Sequence, residues 1–131
     1  MEGLVDRLAR ILPNGRGVWI PMDHGISAYP EKGLENMDDL VSYCISGGAD
    51  AIILQKGVLS HFVENIGWSN FVCHVSVSTV NAGEKDQYKV RVATADECLI
   101  RGATAVSAQI NLGDPFESEM IKEMGDLTGE A

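Results

Sequence analysis

The sequence contains no uninterrupted apolar run of the roughly 18 to 20 residues that a membrane-spanning helix requires. Positive charge is also scarce, because 10 Lys and Arg residues stand against 19 Asp and Glu residues, for a formal net charge of -9. Nucleic acids and anionic lipid surfaces are polyanions that need a basic footprint, so neither is expected as a partner. The amphipathic start "MEGLVDRLARIL" is unlike a secretory signal peptide, and we therefore expect a cytoplasmic protein.

Cysteine is sparse and shows no pairing pattern. The three cysteines, Cys44, Cys73 and Cys98, are odd in number and form no CxxC pair. Neither a disulfide framework nor a zinc knuckle is therefore indicated. Each cysteine has apolar neighbours in the sequence, which favours buried and reduced thiols.

Hydrophobic residues make up 45% of the 131 residues, a share typical of one soluble globular domain. After the amphipathic opening helix, apolar residues at helical spacing and helix-capping signals predict further helices at 34–46, 58–66, 94–102 and 114–127. Short apolar runs predict strands at 17–22, 49–55, 71–78 and 103–112. Alternating strands and helices are typical of a parallel sheet with helical crossovers, so the predicted fold class is α/β.

Two segments repeat one pattern. "GGADAIIL" at 47–54 and "RGATAVSA" at 101–108 share Gly-Ala-x-Ala followed by an aliphatic residue. In each, a helix is predicted to end on glycine and a buried strand to begin at once, a tight connection that a left-handed glycine allows. The repeat indicates successive βα units but does not by itself decide the architecture.

Two architectures fit four βα units. A small open doubly wound sheet would be complete at this length, whereas an eight-fold (β/α)8 TIM barrel typically needs about 250 residues. Every predicted strand ends in polar residues near a glycine or hydroxyl cluster: "DHG", "LQKG", "SVST" and "NLG". Strands that converge on one pocket require such ends. We therefore predict that residues 1–131 are about the first four βα units of a barrel, with strand order 1-2-3-4 and the helices on one side.

The segment "WIPMDHGIS" at 19–27 ends a predicted buried strand with two titratable side chains. A buried carboxylate is costly unless it is paired or hydrogen-bonded, so Asp23 is a candidate general acid/base at the strand tip. His24 is a candidate for orienting an anionic part of a substrate. The alternative interpretation is that Asp23 caps its loop and His24 is a satisfied buried side chain.

Lys56, in "LQKG", occupies the corresponding end of the second predicted strand. A lysine held in an apolar barrel can have a lowered pKa and form a Schiff base with a carbonyl. It can equally bind a substrate phosphate or form an ion pair with a carboxylate such as Asp23. Residue type and position favour these binding or structural roles over that of the nucleophile.

The third predicted strand carries a histidine and several hydroxyls, His74, Ser76, Ser78 and Thr79. Period two puts such side chains on one face of a strand, where they could bind substrate oxygens or merely fill space. Gln109 could add a polar contact at the end of the fourth strand.

No metal or nucleotide site is indicated by spacing. The histidines at 24, 61 and 74 form no HxH or HExxH pattern, so a metal site built from them is disfavoured. The glycine segment "GGAD" is neither a GxGxxG nor a Walker loop.

The segments "GRGVWIPMDHGIS", "GGADAIILQKG", "HVSVST" and "KVRVATADECLIRGATAVSAQINLG" together resemble the archaeal-type class I aldolase family. That family includes fructose-1,6-bisphosphate aldolase and the related 2-amino-3,7-dideoxy-D-threo-hept-6-ulosonate synthase of an alternative aromatic amino-acid route. The resemblance, from about residue 14 to 128, implies an eight-fold βα barrel of roughly twice this length. It also implies that this chain is like the amino-terminal half and that the protein assembles as a homo-oligomer.

The resemblance further implies a reaction. The family's DHG aspartate shuttles protons and corresponds to Asp23, whereas the Schiff-base lysine, a proton-donating tyrosine and the donor phosphate site lie on later strands. A carbon–carbon bond of a phosphorylated sugar would be made or broken through a lysine imine without a metal or other cofactor. His24, Lys56 and Ser78 would shape the substrate pocket. Gln109 stands where the family commonly has histidine. The non-enzymatic alternative is a truncated product or assembly partner whose open strand edges pair with another chain.

Overall fold

The computed structural model describes residues 2–26 and 31–131. Its α-helices are α1 (Leu4–Ile11), α2 (Met37–Ser46), α3 (Lys56–Asn65), α4 (Ala95–Ile100) and α5 (Glu117–Glu130). Its strands are β1 (Trp19–Pro21), β2 (Ala51–Gln55), β3 (Phe71–His74), β4 (Ser76–Val77), β5 (Val90–Arg91) and β6 (Ala105–Ser107). Among these residues, each helix is too short or too polar to cross a membrane.

Four parallel strands form the main sheet in the order β1-β2-β3-β6. These are the four predicted strands in chain order, so the predicted strand order 1-2-3-4 is confirmed. Each connection between neighbouring strands contains a helix, as parallel pairing requires. The order also excludes the doubly wound alternative 2-1-3-4.

The two faces of this sheet have different covers. On one face, Ile52, Leu54 and Phe71 belong to a buried cluster that includes residues of α2, α3, α4 and α5. On the other face, Ala51 and Val72 pack with Ile11 of α1 in a smaller cluster. The crossover helices α2, α3 and α4 therefore lie on one side as predicted, but α1 covers the other side, so the prediction that the helices share one side is wrong for α1. Because both faces of the sheet are covered, the strands are continuous apolar runs without alternating polar residues.

The third and fourth predicted strands are shorter than expected. Residues 71–78 divide at Val75, whose backbone N–H donates to the carbonyl of Ser107 while its own carbonyl accepts from Val92. Beyond that point β4 leaves the main sheet and pairs antiparallel with β5, which lies between the third predicted strand and the helix predicted at 94–102. The prediction missed this second sheet because a two-residue strand carries no measurable periodicity.

The predicted glycine turns are present after α2 and α4. Gly48 and Gly102 have φ angles of 90° and 92°, in the left-handed region that favours glycine. At Gly102, an added Cβ would also lie 2.7 Å from a methyl group of Val63. Both turns therefore require glycine for conformation, and the second also requires it for space.

The cysteines are free thiols, as predicted. Cys73 and Cys98 are buried, which confirms the prediction for these two, but Cys44 is only partly buried on α2. The apolar neighbours of Cys44 in the sequence misled the prediction because its helix presents only Val41 as a fully buried side chain.

Candidate functional site

Four polar residues form one level across the carboxyl ends of the main sheet. In the strand register Gln55 lies opposite His74, and His74 lies opposite Ser107. Pro21 lies opposite Ile53, so Asp23, two residues further on, is level with Gln55. We call Asp23, Gln55, His74 and Ser107 the polar row.

The polar row lies on the face of the sheet away from the crossover helices. Side chains two residues apart on a strand share a face. Ile53, Val72 and Ala105 therefore form the apolar level directly below the polar row, and they pack in the cluster around Ile11. In a barrel this is the inward face, and the carboxyl ends of the strands are where barrel enzymes hold their reacting groups.

His74 lies at the centre of this row and contacts two of its members. Its Nε2 atom is 3.5 Å from Oδ2 of Asp23, and its Nδ1 atom is 2.9 Å from Oγ of Ser107. The amide of Gln55 donates to the backbone carbonyl of Asp23 at 3.4 Å. The row is thus held together by contacts among the ends of all four strands of the main sheet.

Burial lowers the pKa of His74 below its ordinary value of 6.5. The Asp23 carboxylate acts in the opposite direction, and the positive charge of Lys89 lowers the pKa further. His74 is therefore neutral near pH 7 and carries one ring proton. Because Nε2 faces a carboxylate, which can only accept, the proton belongs on Nε2, and Nδ1 then accepts from the hydroxyl of Ser107.

Asp23 remains accessible within this arrangement. Its side chain is 22% exposed, whereas that of His74 is 11% exposed. A molecule entering at the carboxyl ends of the strands can therefore reach the carboxylate while the imidazole stays behind it. A carboxylate held in this way can take up and return a proton, which is the chemistry of a general acid/base.

His24 and Ser78, two of the predicted substrate-binding residues, line one cavity together with Lys89. His24 is exposed and directly follows Asp23 in a short 3-10 turn. The Ser78 hydroxyl donates to the backbone carbonyl of Asp86 at 2.5 Å. The structure thus brings these two predicted residues together in one cavity, and their role toward a substrate stays a prediction.

Lys56, the third predicted substrate-binding residue, has a different environment. It is the first residue of α3, and its Nζ atom lies 2.7 Å from the carbonyl of Val92 and 3.0 Å from the carboxylate of Glu97. The hydrogen bonds from Lys56 and Arg101 lower the pKa of Glu97. The ion-pair role that the sequence left open is therefore observed, with Glu97 as the partner where the sequence suggested Asp23.

The part of the chain that the structure describes holds no group of three His, Cys, Asp or Glu residues arranged for a metal ion. His61 instead pairs with Asp38 at 3.2 Å, on the exposed surface of α3 and α2. The three histidines considered from the sequence thus have separate surroundings.

Sequence reasoning missed Gln55 and Ser107 as members of the polar row. The signal was available in the alternation of side chains. In "LQKG" the residue on the same face as Ile53 is Gln55, and the conspicuous lysine next to it belongs to the opposite side. Ser107 would have required the register between β3 and β6, which no local pattern gives.

Comparisons with known proteins agree on one family. The sequence model described as "DeoC/LacD family aldolase" matches residues 18–131. The 2-amino-3,7-dideoxy-D-threo-hept-6-ulosonate synthase 1 of Archaeoglobus fulgidus is 36% identical over 130 residues, which cover 98% of this chain and 48% of the synthase. The corresponding synthase of Halobacterium salinarum is 33% identical, with the same two coverages. The chain therefore spans about half the length of these curated relatives.

Solved structures of aldolases share the fold. An archaeal fructose 1,6-bisphosphate aldolase superimposes with a TM-score of 0.76 at 22% identity, covering 98% of this chain and 52% of that structure. A fructose-bisphosphate aldolase from Slackia heliotrinireducens gives a TM-score of 0.80 at 15% identity, covering 98% and 45%. At such low identity the likeness concerns the fold, and it confirms the predicted part of a TIM barrel.

Proposed function

Because this chain belongs to the DeoC/LacD aldolase family, we propose that it contributes the acid/base half of a Schiff-base aldolase that acts on phosphorylated sugars, of the fructose-1,6-bisphosphate aldolase type. The observation that carries the proposal is the position of Asp23. Its carboxylate is accessible at the carboxyl end of the sheet and lies 3.5 Å from a histidine. We propose residues 1–131 as the amino-terminal half of the barrel.

Asp23 has a defined task in such a reaction. When fructose 1,6-bisphosphate is cleaved as an iminium, the bond between C3 and C4 breaks and its electron pair moves toward the iminium nitrogen, which leaves an enamine. The C4 hydroxyl loses its proton as the new carbonyl forms. A carboxylate within hydrogen-bonding reach takes that proton and returns it in the reverse direction. The amine that forms the iminium would come from chain beyond residue 131.

The pocket residues follow from this assignment. His24 and Ser78 line one cavity, and we propose that they contact the oxygens of the sugar phosphate. Lys56 remains a candidate substrate contact only if its ion pair with Glu97 opens, because that carboxylate and the carbonyl of Val92 occupy its ammonium group. A cytoplasmic location and homo-oligomeric assembly belong to the same proposal.

A second candidate is 2-amino-3,7-dideoxy-D-threo-hept-6-ulosonate synthase. The sequence relatives favour it, since the Archaeoglobus fulgidus and Halobacterium salinarum enzymes of that name are 36% and 33% identical to this chain. The polar row serves both candidates, because each reaction changes a carbon–carbon bond and needs a proton moved at an oxygen.

A chimera tests both candidates. Residues 1–131 are joined to the carboxyl-terminal half of the Archaeoglobus fulgidus synthase, and the product is assayed for cleavage of fructose 1,6-bisphosphate and for formation of the heptulosonate. We expect one of the two activities, with a loss on the order of 10²-fold or more in turnover when Asp23→Asn is introduced. Asp38→Asn, which removes a carboxylate beside another histidine, is the matched control and should leave turnover unchanged.

The outcomes of the chimera separate the hypotheses. Turnover that survives Asp23→Asn would show that this carboxylate only caps its loop. A folded chimera without either activity would favour the non-catalytic alternative, in which the chain is a truncated fragment or an assembly partner.

A further inference from the structure

We propose that His74 is a positioning residue for the Asp23 carboxylate, and that the hydroxyl of Ser107 holds its imidazole in the orientation that turns Nε2 toward that carboxylate. The inference rests on the proposed acid/base role of Asp23 and extends it, because it identifies what holds the carboxylate. The three residues follow or end three different strands, β1, β3 and β6. A chain of polar contacts therefore crosses the site from one edge strand of the main sheet to the other.

Ser107 and the strand register fix the position of the His74 imidazole. His74 is paired in register with Ser107, so the two side chains leave the sheet at one level and on one face. The 2.9 Å contact between Nδ1 and Oγ fixes one side of the ring. The other side, with Nε2, then faces Oδ2 of Asp23 at 3.5 Å, a contact somewhat longer than an ordinary N–H···O hydrogen bond.

The Asp23 carboxylate selects the tautomer of His74. A neutral imidazole has one donor and one acceptor nitrogen, and a serine hydroxyl can pair with either, whereas a carboxylate can only accept. When the hydroxyl of Ser107 donates to Nδ1, the ring proton lies on Nε2 and is directed at the carboxylate. With the opposite tautomer, two acceptors would face each other between His74 and Asp23. Burial and the nearby Lys89 charge favour the neutral ring, which agrees with this assignment.

The contact with His74 restricts the rotamers of the Asp23 side chain. Asp23 lies after the end of β1, and its side chain is 22% exposed, so without a partner it would be free to change rotamer. Holding a catalytic group in one geometry removes an entropic cost from the reaction. His74 can do this without competing for substrate because it is half as exposed as the carboxylate, at 11%.

The first test measures the tautomer in the 131-residue chain itself. Nitrogen-15 correlation spectra distinguish the protonated ring nitrogen of His74. We expect mainly Nε2–H, and we expect Asp23→Asn to lower the ratio of Nε2–H to Nδ1–H about two- to tenfold, the value of one net hydrogen bond, because an amide can donate or accept whereas a carboxylate can only accept. Asp38→Asn, which removes a carboxylate beside His61, is the control and should leave the ratio unchanged. A predominantly Nδ1–H ring, or a ratio indifferent to Asp23→Asn, would overturn the proposal.

The second test measures whether the side chain of Asp23 is held in one rotamer. Three-bond couplings report whether the χ1 angle of Asp23 occupies one rotamer or averages over several. His74→Gln keeps a donor nitrogen near the position of Nε2 and should retain the single rotamer. His74→Asn, whose shorter amide reaches only the position of Nδ1, should give averaging. Equal couplings in these two variants, or averaging already in the parent chain, would refute the positioning role.

The outcome of these measurements does not depend on whether the protein is an aldolase. Thermal melting of each variant checks that it is folded, and Ser107→Ala provides a second route to a loosened Asp23 if His74→Asn does not fold. None of the measurements requires turnover. An inactive chimera would therefore count against the aldolase proposal alone, whereas a mobile Asp23 in the parent chain would count against the role of His74 alone.

Discussion

The electrostatic coupling between Asp23 and His74 gives a quantitative prediction for Asp23→Asn. The substitution keeps the size of the side chain and removes its negative charge. Because that charge favours the protonated imidazole, its removal should lower the pKa of His74 further below the ordinary value. The sign follows from the contact alone, since a carboxylate 3.5 Å from Nε2 stabilises a positive ring.

The size of the effect follows from distance and exposure. Two unit charges 3.5 Å apart interact by about 1 kcal/mol at the dielectric constant of water and by about 5 kcal/mol at an effective value near 20. Pairs at a protein surface reach only about 0.2 to 1 kcal/mol in practice. Asp23 and His74 are less exposed than such pairs, so we expect somewhat more than 1 kcal/mol. At about 1.4 kcal/mol for each pH unit, the pKa of His74 should fall by about 1.

Titration of the imidazole resonances by NMR measures this change. The matched control is Asp38→Asn, which alters the net charge equally but removes a carboxylate that lies 3.2 Å from His61. The pKa of His74 should be the same in this control as in the parent chain. A pKa of His74 that stays constant or rises in Asp23→Asn would refute the coupling. An equal fall in the pKa of His74 in both variants would show that the change is caused by the net charge of the protein and not by the contact with Asp23.

Further predictions concern stability, trapping and association. Because the folded-state pKa of His74 is depressed, the unfolded chain binds more protons between that value and about 6.5, so stability should fall as pH drops through this window. Urea unfolding at a series of pH values should show this loss, and His74→Gln should reduce it. Phe71→Ala should cost about 3 to 5 kcal/mol in the same assay, because its ring is fully buried against Trp68 and Phe62; a loss below 1 kcal/mol would contradict this packing. Borohydride with fructose 1,6-bisphosphate should leave the mass of the 131-residue chain unchanged, and a stoichiometric adduct on Lys56 would show that this lysine is a nucleophile. The strands β1 and β6 each have one partner in the main sheet, so sedimentation should reveal association through these edges, whereas a cooperatively melting monomer would count against it.

The order of the elements was predictable because it depends on local signals. The turns at Gly48 and Gly102 were visible as glycines between an amphipathic helix and an apolar run. Parallel pairing followed from the alternation of strands and helices, and the polar strand ends indicated a barrel. The position of Asp23 at the carboxyl end of the sheet was also predictable, since it follows an apolar strand directly; its role as an acid/base stays a prediction.

The division of the third strand and the ion pair of Lys56 were not predictable from local patterns. The division of residues 71–78 at Val75 depends on backbone hydrogen bonds to Ser107 and Val92, which are distant in the sequence. Lys56 looked like a member of the site because it follows the second strand directly. Its partner, Glu97 on α4, is known only once the packing of α3 against α4 is known.

The sequence by itself determined the fold class, the order of the strands and the position of a carboxylate at the end of the first strand, because periodicity, glycine turns and an aspartate after an apolar run are properties of short segments. Only the tertiary structure decided which side chains act together. Gln55, His74 and Ser107 are level with Asp23 because of the register between neighbouring strands. That register results from the packing of the whole sheet between α1 and the crossover helices, and a shift of one residue would turn each of these side chains to the other face.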